Sequence, residues 1–170
     1  MPLSERTKIR VLSHQEVDRK IERIARQLHE ENYQEKEIIF VGIAPRGAQL
    51  AQRLTDRLTK LKAFRTRNLE MRLDKDQPVE GALTLSADVE ELTDSVVVLV
   101  DDVLQSGRTL MHAAAYLVQV PLKKLTTVVL VDRRHRSFPI RADMVGLTLS
   151  TTMQEHITVK FGKEDAVYLD

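Results

Sequence analysis

At 170 residues, 42% of them hydrophobic and 30% charged, the composition is that of an ordinary globular protein, and one domain over residues 1–170 is expected. The net charge of +1 gives no bulk attraction to a polyanion, so any basic site must come from local clustering. With no cysteine, disulfides and thiolate metal sites are excluded. No apolar run approaches the roughly 18 residues of a membrane helix, and Met1 to Arg10 lacks the apolar core of a signal peptide. A cytoplasmic protein with no membrane association is the expectation.

Ile9 to Leu12 is a short β-like run. Ser13 with Glu16 makes a capping-box pattern that opens a helix, with Val17, Ile21, Ile24, Ala25 and Leu28 recurring at helical spacing. Ile38 to Ile43 reads as a strand buried on both faces, followed by Gly42-Ile43-Ala44-Pro45-Arg46-Gly47. The next helix places Leu50, Leu54, Leu58 and Leu61 on one face and Arg53, Asp56, Arg57 and Lys60 outside. Leu69, Met71 and Leu73 alternate as in a half-exposed strand. Asp74 to Asp94 is rich in Asp, Glu, Pro and Gly and reads as a mobile loop, with a small hairpin at Ala82 to Leu85.

Val96 to Val100 is an unbroken β-branched and aliphatic run, again a strand buried on both faces. Asp101 and Asp102 stand where that strand is expected to end. A polar turn of small residues follows, and from Leu110 to Val118 the pattern is helical. In open α/β sheets, ligands bind at the carboxyl ends of strands. The N–H groups of such a turn, with the helix N-terminus, suit a phosphate. Pro121 ends the helix, and Leu125 to Val131 is a further buried strand. Asp132 to Arg141 reads as a basic loop and Met144 to Leu147 as a short strand. Ile157 to Phe161 and Ala166 to Leu169 make a terminal pair. Helices alternating with buried strands predict an α/β fold with a parallel sheet covered on both faces, the two chain ends packing as a small lobe.

A Walker-type ATPase would need G-x-x-x-x-G-K-[ST], and a dinucleotide-binding domain G-x-G-x-x-G; neither occurs. A response-regulator receiver resembles Val98 to Asp102 but carries that run near its N-terminus. Val97 to Thr109 instead resembles the signature of the type I phosphoribosyltransferases. With VGIAPRG (41–47) and LVDRRHRSFPIRADMVG (130–146), the likeness extends from about Val11 to Asp170. It is to the PyrR-type branch, pyrimidine-operon attenuation regulators that are also uracil phosphoribosyltransferases.

The resemblance implies the type I phosphoribosyltransferase fold, a central parallel sheet flanked by helices with a small hood. It implies transfer of 5-phosphoribose from phosphoribosyl pyrophosphate (PRPP) to a nucleobase, uracil first, giving UMP and pyrophosphate. Mg²⁺ would be the cofactor, held mainly by PRPP and water with no certain protein ligand, and the assembly a homo-oligomer, a dimer or a dimer of dimers. Asp101 and Asp102 are the expected catalytic pair, accepting from the ribose hydroxyls and stabilising positive charge at C1. Leu104, Gln105, Ser106, Gly107, Arg108 and Thr109 would wrap the 5′-phosphate. Arg46 and Gly47 would hold pyrophosphate, and the base would lie against Met144, Val145 and Leu147.

The alternative is an RNA-binding attenuation regulator that senses nucleotide in the same pocket. Arg133, Arg134, His135, Arg136 and Arg141 would serve it if they share one surface. Against the branch pattern, Pro45 stands for Thr and Leu147 for Lys, Asp74-Lys75-Asp76-Gln77 replaces Tyr-Arg-Asp-Asp, and Thr148 to Thr152 replaces Ile-Pro-Thr-Ser. Many family members have a cis peptide in the pyrophosphate loop. The matching bond here is Ala44–Pro45, and proline is the residue that most readily follows a cis bond.

Overall fold

The structure, a computed structural model, describes residues 7–74 and 83–170. In chain order it runs β1 (Ile9–Leu12), α1 (His14–Asn32), β2 (Glu37–Ile43), α2 (Arg46–Lys60), β3 (Arg65–Arg72) and β4 (Thr84–Leu85). A 3₁₀ turn (Val89–Leu92) precedes β5 (Val96–Leu104), α3 (Arg108–Leu117), β6 (Lys124–Asp132), β7 (Met144–Thr148), β8 (Ile157–Lys160) and β9 (Ala166–Leu169).

Six strands form the main sheet in the order β4-β3-β2-β5-β6-β7. All neighbours are parallel except β4, which pairs antiparallel with β3 through Met71↔Leu85 and Arg72↔Thr84. Strands buried on both faces need cover on both, and two apolar layers supply it. Ile38, Phe40, Val96, Val98, Val100, Val128 and Met144 pack under the leucines and isoleucines of α1 and α2. Ile39, Val41, Ile43, Val97, Leu99 and Val129 pack on the other side with Leu110, Ala113 and Leu117 of α3. The capping box forms as read: the Glu16 N–H donates to Ser13 Oγ, and Glu16 accepts from the Ser13 N–H. Those hydrogen bonds, the backbone one foremost, lower the Glu16 pKa.

Both chain ends meet in a three-stranded sheet, β1-β9-β8, with Leu12, Ile157, Val159 and Val167 joining the α1/α2 layer. This is the expected hood. Arg53 clamps it from α2, bonding both Asp165 oxygens at 2.8 and 3.0 Å and lying 4.5 Å over the Phe161 ring. Arg53 is therefore not simply an outward-facing residue. Arg57 likewise ties α2 to Asp18 and Glu22 of α1.

Several boundaries differ from the sequence expectation. β5 continues through the two aspartates to Leu104, because β6 runs alongside it to Asp132 and keeps the ladder paired at Val103↔Val131 and Leu104↔Asp132. Asp132 thus belongs to a strand and not to the basic loop. α3 begins at Arg108 and ends at Leu117, ahead of Pro121. The stretch read as a loop up to Asp94 contains β4 and the 3₁₀ turn, the latter capped by a box between Asp88 and Glu91. Lys75 to Ala82 lie outside the described residues. Among the described residues no helix is long and apolar enough to cross a membrane.

Candidate functional site

A cleft of about 430 Å³ opens at the carboxyl end of β5, between the first turns of α2 and α3. Asp101, Asp102, Val103 and Leu104 form its floor with Val129 of β6. The turn Gln105–Gly107 and the start of α3 make one end, Arg46 borders the other, and Ile157 reaches in from the hood.

Because successive side chains on a strand point to opposite faces, Asp101 follows Val97 and Leu99 toward the α3 side. Asp102 follows Val98 and Val100 toward α2. Both are 3% exposed. Asp102 accepts from Arg46 Nε at 2.8 Å, and its own N–H donates to Asp101 Oδ1 at 2.8 Å. Two carboxyl groups held this deep at the end of a parallel strand offer oxygen acceptors to whatever occupies the cleft.

Close packing brings α2 to this point. A Cβ on Gly47 would sit 2.5 Å from the Val100 carbonyl oxygen, so only glycine lets the first turn of α2 approach β5. Ala44–Pro45 is cis, the geometry the family resemblance implies rather than a trans proline opening the helix, and Pro45 is the N-cap of α2. Arg46 is the helix's first residue, with 46% of its side chain exposed.

At the opposite end, Gly107 has φ +89°, a conformation glycine adopts readily, and is the N-cap of α3. Ser106 Oγ accepts from the Arg108 N–H at 3.2 Å. The segment after β6 lies behind this turn. The Ser137 and Phe138 N–H groups donate to the Ser106 carbonyl at 2.8 and 3.0 Å, and the Arg133 N–H to the Leu104 carbonyl at 2.9 Å. Ile140 sits against Gly107, and the Arg108 guanidinium lies 5.8 Å over the Phe138 ring. Turn and α3 N-terminus bring backbone amides and hydroxyls together at this end of the cleft, the kind of arrangement that suits an anion.

Asp132 organises the supporting loop. Arg136 meets both of its oxygens, at 2.8 and 2.7 Å, and the Arg134 N–H adds a third hydrogen bond at 2.9 Å. Burial alone would raise the Asp132 pKa. The Arg136 side chain, the Arg134 N–H and the charge of both arginines outweigh it and hold the carboxyl below its ordinary value.

The expected basic surface is therefore divided. Arg133 is 6% exposed, Arg136 is occupied by Asp132, and His135 Nε2 meets the Thr151 carbonyl, while Arg134 and Arg141 face solvent. Met144 is buried in the α1/α2 layer, and Arg23 takes the Val145 and Gly146 carbonyls at 3.0 and 2.9 Å. Met144, Val145 and Leu147 do not border the cleft that holds the aspartates. They stand one strand beyond its floor, through Val129↔Val145 and Val131↔Leu147. Ile157 was not singled out from the sequence, since an aliphatic residue opening a short strand looks like any core position.

Among the described residues no group of three or more His, Asp or Glu could enclose a metal. Two carboxylates on the floor of this cleft suit Mg²⁺, which keeps much of its water and is commonly shared between one or two carboxylates and substrate phosphates.

The phosphoribosyl transferase domain family matches residues 10–162. A bifunctional protein PyrR of Alkaliphilus metalliredigens is 34% identical, over 94% of this chain and 93% of its own length. One from Bacillus subtilis is 33% identical over 91% of each. Among solved structures, the hypoxanthine phosphoribosyltransferase of Trypanosoma cruzi superposes with a TM-score of 0.77 at 16% identity, covering 93% of this chain and 94% of that one. A hypoxanthine-guanine phosphoribosyltransferase of Bacillus anthracis gives 0.72 at 18% identity, covering 83% and 82%.

Proposed function

This chain belongs to the phosphoribosyl transferase domain family, and on that footing we propose that it transfers 5-phosphoribose from PRPP to uracil, yielding UMP and pyrophosphate. The observation that carries the reading is one cleft with a buried acidic pair at its centre, the Gln105–Gly107 turn and the α3 N-terminus at one end, and Arg46 at the other. PRPP has that charge pattern: a phosphate on C5, a ribose, and a pyrophosphate on C1.

In this reading the 5′-phosphate occupies the amides and hydroxyls of Gln105 to Thr109, and Arg46 with the Gly47 N–H receives pyrophosphate. Asp101 and Asp102 accept from the ribose 2′- and 3′-hydroxyls. As the bond from C1 to the pyrophosphate oxygen breaks, their charge opposes the positive charge growing on the ribose. The bond from uracil N1 to C1 then forms, the bonding pair of the broken C1–O bond leaves with pyrophosphate, and the N1 proton passes to solvent or to the departing pyrophosphate. Mg²⁺, when bound, would supply charge neutralisation to the pyrophosphate, with Asp101 and Asp102 the carboxylates nearest to hold it. Ile157 covers the base with an aliphatic face. No covalent nucleophile is involved. The test is pyrophosphate release from PRPP and Mg²⁺ with each nucleobase in turn. Release with uracil is expected; release with hypoxanthine or guanine alone moves the substrate to purines, and none with any base overturns the reading.

Regulation through RNA is the second reading, favoured by relatives named bifunctional and by Arg134 and Arg141 on the surface. Replacing both by alanine should lower affinity for a pyrimidine-operon leader RNA and flatten its salt dependence, since phosphate contacts release counterions.

A further inference from the structure

Among the described residues, Arg133 is the one buried arginine, and the chemistry around it differs from that of its neighbours. Arg46, Arg53, Arg57 and Arg136, all more exposed, each pair with a carboxylate. The Arg133 guanidinium instead donates to three neutral acceptors: Thr151 Oγ1 at 2.7 Å, the Thr152 carbonyl at 3.0 Å and Gln105 Oε1 at 3.4 Å. Its own N–H holds the Leu104 carbonyl. A cation withdrawn from water normally requires a carboxylate or other anion nearby, because hydrogen bonds to neutral groups replace hydration without balancing charge.

What lies next to it supplies the reason. Gln105 and Ser106 line the aspartate cleft on one side and a second hollow, containing Arg133, on the other. Arg133 therefore stands directly behind the turn assigned to the 5′-phosphate, separated from the cleft by that turn alone.

We infer that Arg133 is a positioning residue for the phosphate end of the substrate. Its guanidinium fixes Gln105 from behind the turn, so this end is already shaped before the ligand arrives, and the ligand's dianionic phosphate completes the charge balance of the buried guanidinium. Its bonds to Thr151 and Thr152 brace the fork from the segment leading into the hood. The inference rests on the reading of the cleft as a PRPP site.

The experiment measures binding of ribose 5-phosphate by calorimetry, and KM values for PRPP and nucleobase, in the full chain. Arg133→Met should weaken ribose 5-phosphate and raise KM for PRPP about tenfold or more, the scale of a lost charge-assisted contact. The nucleobase KM should stay within about twofold, as the contact is confined to the phosphate end. Arg133→Lys restores the charge without the fork and should recover part of the affinity. Thr151→Val removes one brace only; it should weaken ribose 5-phosphate by a few-fold and add nothing in the Arg133→Met background. If Arg133→Met fails to fold, Arg133→Lys and Thr151→Val decide the matter. Wild-type affinity in all folded variants overturns the inference while leaving the PRPP site standing. An equal rise in both KM values, with a lowered melting temperature, also overturns it, as that is the mark of a purely structural role. A wild-type protein that binds neither ribose 5-phosphate nor PRPP overturns both readings.

Discussion

At the α3 end of the cleft, the turn Gln105–Gly107 is held from behind by the Ser137 and Phe138 amides, by Ile140 and by the Asp132–Arg136 pair beneath them. At the α2 end, Arg46 stands half exposed on the first residue of a helix, held by a bond from its Nε to Asp102. The first end is built in advance, and the second has room to move. The difference matches the proposed chemistry, in which the 5′-phosphate stays bound through the reaction while pyrophosphate must depart. Pre-organised donors cost no rearrangement when the ligand arrives, whereas an exposed arginine can follow its ligand out.

The acidic pair lies between the two ends, and replacing it should have the largest effect. Asp101→Asn with Asp102→Asn is expected to lower kcat by about 10²–10³ while the strand remains packed. Near-normal turnover in the double variant would remove the transition-state role and, with it, the meaning of the contrast between the ends.

Arg46→Ala and Gly107→Ala sharpen the contrast directly. Losing a charged donor corresponds to about 1.5–3 kcal/mol, so Arg46→Ala should slow turnover roughly 10- to 100-fold, with any fall in melting temperature traceable to the unpaired Asp102. Gly107→Ala should act the other way round. A Cβ there faces φ +89° and lies 2.8 Å from Ile140 Cγ2, so stability should fall by about 1–2 kcal/mol and KM for PRPP should rise. Equal stability losses in the two variants would show that the ends are equally rigid.

Acid should loosen the built end by a smaller amount. Asp132 has a folded-state pKa below its unfolded value, so its contribution is fully present above the ordinary aspartate value of about 3.9. That contribution is lost as pH falls through the lower folded value. Amide exchange in residues 133–141 should therefore accelerate below about pH 4 relative to β5, once intrinsic exchange rates are allowed for. Unchanged protection there would mean that the loop does not depend on Asp132.

Local pattern was enough for the repeating parts of the molecule. Apolar spacing placed α1 and α2, with all five named positions of α1 buried, because a 3.6-residue period buries one face whatever lies opposite. Runs such as Val96 to Val100 announced strands covered on both sides, and the spacing of Asp101, Asp102 and the Gln105–Thr109 turn marked the cleft. The partners of each polar group were decided by tertiary structure. Arg133, Arg134 and Arg136 look equivalent in the sequence, yet one is buried against the hood segment, one is exposed and one is locked to Asp132. The extension of β5 past its aspartates likewise required β6 beside it to pair the backbone. Burial of an apolar face follows from periodicity along one element, whereas the neutralisation of a charge depends on which distant segment is folded against it.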